Sequence, residues 1–268
     1  MPTSAKMILD SRAPDGTRLA TMEVCFARIV LSEWNTHRNF SRNSASSRAI
    51  PVGKMMAMCV SDPYLPVFQR DQKGMEGKEN LDREWQDRQT GRVKALRDYA
   101  LAIASEMIVD GVAKGDANRY LEPFLYHKVI VTATNYSNFF AQRLPSDAHP
   151  AIRAVAEMMQ ECLETHAPTK LNYDDWHLPY LQGDEKETLP IDAQVKLSVA
   201  RCARVSYLSH DGVRDHNADF DLYDKLRAGN HFSPFEHVAQ AHRMYGKHSG
   251  NFSGNFRQYR KMLVGECR

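Results

Sequence analysis

An α+β protein is predicted from three features of the sequence. One segment alternates apolar and polar residues at the period of a strand, and several others repeat apolar residues at the period of a helix. A length of 268 residues also suffices to bury one sizeable core. Hydrophobic residues make up 43% and charged residues 25%, the balance of an ordinary globular chain. A net charge of +2 gives no general surface for nucleic acid or membrane. No apolar run approaches the roughly 20 residues of a membrane helix, and "MPTSAKMILDSRAPDG" lacks the apolar stretch of a signal peptide. The five cysteines (Cys25, Cys59, Cys162, Cys202, Cys267) are scattered and never form a CxxC pair, which favours reduced thiols over disulfides or zinc. A cytoplasmic protein with no metal, nucleic-acid or membrane partner is expected.

"RLATMEVCFARIVL", residues 18 to 31, sets Met22, Val24 and Phe26 against Thr21, Glu23 and Cys25, which predicts a strand with one buried face. Residues 63 to 91 are polar and rich in Gly and Gln, and read as an irregular excursion. Val93, Leu96, Ala100, Ile103 and Met107 then predict a helix, stopped by Gly111 and Gly115. "KVIVTAT", residues 128 to 134, has the β-branched residues of a strand. Leu125, Val129, Ala133, Tyr136 and Phe140 nevertheless keep helical spacing across it, and this longer period predicts a helix. Ile152, Val155, Met159 and Cys162 mark an amphipathic helix opening near Pro150. A long connection at 173 to 190 precedes helices around 191 to 203 and 218 to 228.

Three segments carry candidate chemistry. "HRNFSRNSASSRAIP", residues 37 to 51, holds three arginines, four serines and two asparagines. It reads either as a solvated surface loop or as an anion cradle, with Arg38, Arg42 and Arg48 as forked donors and serine hydroxyls beside them. In "HFSPFEH", residues 231 to 237, Ser233, Pro234 and Glu236 fit a capping box with proline at the first helical position. That account leaves His231 and His237 unused. Arg119 in "NRYLEP" and Arg143 in "NFFAQR" read, on spacing alone, as surface arginines with buried stems. There is no GxGxxG or Walker loop, so any nucleotide or flavin needs a different cradle.

Taken together, these segments resemble the flavin-dependent thymidylate synthases. In "THRNFSRNSASSR", His37, Arg38, Asn43, Ser46 and Arg48 keep the spacing of that family's R-H-R motif and the residues that follow it. "ARVSY" (203 to 207) and "LYDKLRAGNHFSPFEH" (222 to 237) are similar to the family's opening segment. "NRYLEP", "NFFAQR" and "DAHPAIR" are similar to its later helical part. The order differs: the SPFEH segment precedes R-H-R in the family and follows it here, which implies a circular permutation. Thr36 replaces the first arginine of R-H-R, and Ser44 replaces an acidic residue. "FRQYRK" (256 to 261) resembles the stretch that leads into R-H-R, so Gln258 and Arg260 either stand in for Glu33 and Thr36 or form a basic tail.

The resemblance implies a single catalytic domain over residues 1 to 268, with insertions at about 63–91 and 165–190. Its fold would be a central, mainly antiparallel sheet with flanking helices. The implied reaction is reductive methylation of dUMP to dTMP, with methylenetetrahydrofolate giving the methylene, FAD the hydride and NADPH the electrons for the flavin. Two alternatives stand beside it: alkylation of another pyrimidine deoxynucleotide such as dCMP, or a non-catalytic homologue that binds nucleotide or flavin. Residue by residue, Ser46, Arg48, Arg119 and Arg143 would hold the nucleotide, with Ser46, Arg48 and Arg143 as the catalytic set. His37, Arg38, Asn43, Ser44, Asn138, His231, Gln258 and Arg260 would lie on the flavin side. The family also implies a homo-oligomer, a tetramer, with sites assembled between subunits. Permutation further implies that residues 18 to 31 share one sheet with the segment after SPFEH, and that His231 approaches Ser46. If the tail compensates, truncation after Gly254 would remove flavin binding and leave a folded protein.

Overall fold

In the computed structural model, which describes residues 2–73, 77, 79–207, 215–243 and 250–266, the chain opens with a long hairpin. Strands β1 (Ser4–Arg12) and β2 (Arg18–Ala27) pair antiparallel, and β2 pairs in turn with β4 (Tyr126–Ala133). With β3 (Ser41–Ser44) on one edge and β5 (Thr169–Lys170) on the other, the order is β3-β4-β2-β1-β5, and only β5 runs parallel to its neighbour. A second sheet is formed by β6 (Trp176–His177), β7 (Ala239–Ala241) and β8 (Phe256–Gln258), all antiparallel. The helices are α1 (Leu31–Asn35), α2 (Val52–Ser61), α3 (Arg83–Val109), α4 (Lys114–Ala117), α5 (Ser137–Arg143), α6 (Pro150–Thr165), α7 (Gly183–Thr188), α8 (Ile191–Arg204) and α9 (His216–Ala228). This is the α+β architecture with a mainly antiparallel sheet. Among the described residues, no helix is long and apolar enough to cross a membrane.

One face of the large sheet carries the main core. Met22, Val24 and Phe26 of β2 and Val129 and Val131 of β4 meet Trp34, Phe139, Ile152, Val155 and Met159 from α1, α5 and α6. Burying each such large apolar side chain contributes about 1.5–3 kcal/mol. Helix α6 starts where Pro150 predicts, with proline in its first turn and the His149 ring accepting from Ala151 N–H. Helices α8 and α9 likewise fall where the sequence places them.

The opposite face of the sheet is covered too, contrary to the expectation of a single buried face. Leu19 and Ala13 pack against Ala239, Ala241 and Phe256 of the second sheet, and against Phe252, which precedes its last strand. Between the sheets runs a buried polar chain: Ser11–His177 (2.8 Å), His177–Thr21 (2.8 Å), Thr21–Thr132 (2.7 Å) and Thr132–His237 (2.8 Å). Thr21 and Thr132 are direct partners in the β2–β4 register, which brings the two hydroxyls together. The segment after SPFEH therefore lies in a second sheet packed on β2. It does not lie in the same sheet.

Other expectations change as well. Residues 128 to 133 lie in strand β4, not in a helix; the strand is buried on both faces, so its near-continuous apolar run mimics helical spacing. The excursion at 63 to 91 ends earlier than predicted, because Asp82 accepts from Trp85 N–H and caps α3 at Arg83. Gly111 (φ 77°) ends that region, while Gly115 sits within α4 and stops nothing. Ser233 is no cap. The short turn of helix at Ser233–Glu236 has no side-chain cap bond, and Ser233 Oγ donates to Asn43 instead. Phe256 is fully buried and β8 pairs with β7, so removing everything after Gly254 would take away core along with the tail. Cys267 lies outside the described residues.

Candidate functional site

The Ser/Arg segment is neither loose nor solvated throughout. Its first part is the edge strand β3, and beyond it Ala45 N–H donates to Lys128 O and Ser46 N–H to Ser206 O. Ala49 and Ile50 N–H then fold back onto Ser46 O. From beneath, the fully buried Asn118 donates through Nδ2 to the carbonyls of Ser47 (2.7 Å) and Ile50 (2.9 Å). Ser47 Oγ donates to Glu122 Oε1 at 2.5 Å, and the same oxygen accepts from Arg28 Nη2 at 3.0 Å. Arg28 Nη1 donates to Ala45 O and to His127 Nδ1. Burial and the Arg28 charge hold the His127 ring neutral, with its pKa pushed down to about 3. Asn118, Glu122, Arg28 and His127 escaped the sequence reading; Asn118 and Glu122 flank Arg119 in the motif that was singled out.

A cleft of about 400 Å³ opens above this clamp. Arg28, Arg42, Ser44, Ser46, Arg48 and Arg119 line it together with Asn43 and Ser233, and no carboxylate of the described residues does. The arginines divide into two kinds. Arg42 donates to the carbonyls of His37 (3.0 Å), Phe40 (3.4 Å) and Asn35 (3.3 Å), so it fastens α1 to β3. Arg48 and Arg119 are exposed and make no hydrogen bond or ion pair among the described residues. Two unpaired guanidinium groups beside serine hydroxyls form a ready anion site, since their donors are already free of internal acceptors.

Distant segments converge on the same place. Asn43 Nδ2 donates to Cys202 O at the end of α8, and its Oδ1 accepts from Ser233. Gln258, 1% exposed, donates through Nε2 to Ser41 Oγ (2.7 Å) and Glu236 O (3.3 Å). Gly250 (φ 80°) makes room for it: a Cβ there would overlap Gln258 Oε1. Arg260 Nη1 donates to Glu236 Oε1 at 2.6 Å and its Nε to Glu266 Oε2 at 2.5 Å, so the tail is tied to the SPFEH segment. His231 itself is exposed, with its ring against Gly229, and does not line the cleft.

Arg143 and His37 form a separate cluster. Arg143 Nε donates to His37 Nε2 (2.9 Å), and its Nη2 to Glu33 O (3.2 Å) and Thr36 Oγ1 (3.1 Å). His37 is buried against Phe139 and Phe40. Burial first, then the Arg143 charge, push its pKa down to about 4, although Asn138 acts the other way. Within one chain, then, Arg143 does not line the cleft that holds Arg48 and Arg119. Four flavin-side residues, His37, Asn43, Gln258 and Arg260, have polar atoms engaged internally, while Arg38, Asn138 and His231 are exposed and Ser44 is half-buried. These eight residues do not fit FAD as one cradle within a single chain. The described cysteines are poor nucleophiles: burial pushes Cys59 up to about 11 and raises Cys25, Cys162 and Cys202.

Fold and cleft define an α+β protein with a preformed basic pocket at the edge of its main sheet. The family of thymidylate synthase complementing proteins matches residues 18–169, more than half of the chain, and the chain belongs to that family. The match spans the Ser/Arg segment, Arg119 and Arg143, runs through residues 52 to 115, which the motifs leave unread, and ends before ARVSY and SPFEH. No curated protein matches the chain in sequence. Among solved structures it is similar to the UMP/dUMP methylase PolB from Streptomyces cacaoi bound with 5-Br UMP, at 14% identity and a TM-score of 0.49, over 60% of this chain and 88% of that one.

Proposed function

We propose that the protein methylates a pyrimidine deoxynucleotide at C5, with dUMP as substrate and methylenetetrahydrofolate as the one-carbon source. The observation that carries this reading is the pair of unpaired arginines, Arg48 and Arg119, beside Ser46 in a cleft whose lining has no carboxylate. They hold the nucleotide, and Ser46 adds a hydroxyl donor. A guanidinium at a uracil carbonyl would also favour the negative charge that spreads over the ring as C5 becomes nucleophilic. Ser46 is assigned to binding, since no base pairs with its hydroxyl among the described residues. The raised thiol pKa values support a route without a cysteine nucleophile.

The whole chain acts as one permuted catalytic unit in this reading. Support comes from the contacts that join its ends to its middle: Ser206 O to Ser46 N, Ser233 to Asn43, and Gln258 to Ser41. FAD and NADPH enter through the family alone. Because one chain offers no single cradle for FAD, the site is completed between copies, which brings Arg143 of one copy toward the cleft of another.

Release of tritium from C5-labelled dUMP, run beside C5-labelled dCMP with folate, FAD and NADPH, tests the activity. The expected result is release from dUMP. Release from dCMP alone would move the reading to the second nucleotide, and release from neither would leave a binding protein. FAD should change its absorption on mixing with the protein, and sedimentation at micromolar concentration should show an oligomer. A monomer that binds FAD would contradict the shared site.

A further inference from the structure

Helix α3 has one face that its own chain leaves open. Of its 27 residues only Ala104 is buried, and with Val93, Ala100, Leu101 and Met107 it forms the inner face, clustered with α2 and residues 117–125. On the outer face Leu96 and Tyr99 are 59% and 67% exposed. With Ile103, Tyr120 and Phe124 they line an apolar groove of about 410 Å³. The same three- and four-residue steps continue this stripe into charge: Arg88 and Arg92 precede it, and Glu106 and Asp110 follow it. Residues 83–97 hold five basic and two acidic side chains, whereas 98–110 hold three acidic and none basic, so the helix is polarised about its apolar centre. Glu106 and Asp110 stand at the helix C-terminus, where the macrodipole disfavours anions, and neither has an ion pair among the described residues. Arg88 meets the Trp85 ring and Arg92 meets Gln89, both on the same helix.

We infer that this face of α3 is a seam between two copies of the chain, packed antiparallel about a two-fold axis near Tyr99. Arg92 and Glu106 lie seven residues to either side of Tyr99, and Arg88 and Asp110 lie eleven. The axis therefore sets Arg92 opposite the partner's Glu106 and Arg88 opposite the partner's Asp110, while the apolar stripes meet between them. A parallel pairing would oppose like charges instead. One patch is thus its own complement, as an isologous interface requires. Arg119 lines both the apolar groove and the basic cleft, so the seam reaches the edge of the candidate site. The inference deepens the proposed sharing of that site between copies and rests on it for this placement, while the seam itself needs no nucleotide.

The test is sedimentation of the full-length protein at micromolar concentration, without nucleotide. Arg88→Glu with Arg92→Glu makes the face acidic at both ends, and Glu106→Arg with Asp110→Arg makes it basic at both ends. Each double variant alone should associate about ten-fold more weakly than wild type or worse, because like charges then meet across the seam. Mixed in equal amounts, the two should recover the wild-type mass, and added salt should weaken that recovery. Recovery on mixing cannot come from a damaged fold. Variants that keep the wild-type mass would overturn the seam and leave the copies to join through another face. Smaller variants that fail to recover when mixed would overturn the antiparallel register and the inference with it. A wild-type monomer would overturn the seam as well, and FAD binding by that monomer would also remove the shared site.

Discussion

Lowering the pH from 7 to 5 is expected to remove several kcal/mol of the protein's stability, because three buried histidines must take up protons that the fold excludes. His127, His177 and His237 are each at most 1% exposed, and burial pushes all three pKa values down from the ordinary 6.5 to about 3. Arg28 adds to the effect at His127, and His237 and Lys186 add to it at His177. The folded state holds them neutral, while the unfolded chain protonates them below about 6.5. Their stabilising contribution is therefore complete above 6.5 and declines continuously as the pH falls toward 3. The slope is about 1.4 kcal/mol per pH unit for each ring, hence about 4 kcal/mol for the three. At pH 5 the loss reaches about 6 kcal/mol, against a usual total of about 5–15 kcal/mol.

Urea unfolding at several pH values reads this slope directly. His237→Asn keeps an acceptor near Thr132 and should reduce the slope by about one third. Stability that stays flat between pH 7 and 5 would contradict the account of the buried chain. His127 Nε2 and His237 Nε2 both lack a partner among the described residues, so neither ring has an acceptor ready for a second proton.

The second large effect is expected at Arg201. Its two Nη atoms each donate to Glu185 at 2.6 Å, its Nε donates to Asp219 at 3.0 Å, and Nη1 also reaches Tyr180 O at 3.1 Å. Arg204 completes Asp219 (2.7 Å) and His216 completes Glu185 (2.8 Å). The Arg201 bonds hold the Glu185 carboxyl down at about 2. Both carboxylates are 2% exposed, so Arg201→Met leaves buried charge behind. A loss of about 3–5 kcal/mol is expected near neutral pH. It should shrink in acid, as Glu185 freed of Arg201 takes a proton earlier. A loss under about 1 kcal/mol would mean that the network relaxes around the gap. The network matters to the cleft because it anchors α8, and in the turn just after that helix the Ser206 carbonyl accepts from Ser46 N–H.

Much of this was legible in the sequence wherever one physical signal dominated. Alternation marked β2, proline and apolar spacing marked α6, and the density of serine and arginine marked the cradle. Strand β4 was hidden because two covered faces leave no polar phase to read. Strand β1 carries charged and apolar residues on a partly exposed edge, and raised no signal of its own. The capping pattern at Ser233 misled for another reason: a local pattern lost to a long-range partner, Asn43, that the sequence does not announce. Composition alone does not separate the two arginines of this segment. Motif spacing assigns Arg48 and not Arg42 to the nucleotide, and the carbonyls around Arg42 give that arginine its own, internal role.

That difference supplies the most direct measurement. Titration of dUMP into wild type, Arg48→Ala and Arg42→Ala asks whether the cleft is the nucleotide site and which arginine faces the ligand. Arg48→Ala should weaken binding by roughly ten- to hundred-fold, about 1.5–3 kcal/mol, with its thermal stability unchanged. Arg42→Ala should lower stability through the lost carbonyl bonds and affect affinity less. Equal losses of affinity in the two variants, or a dUMP affinity untouched by Arg48→Ala, would contradict the account.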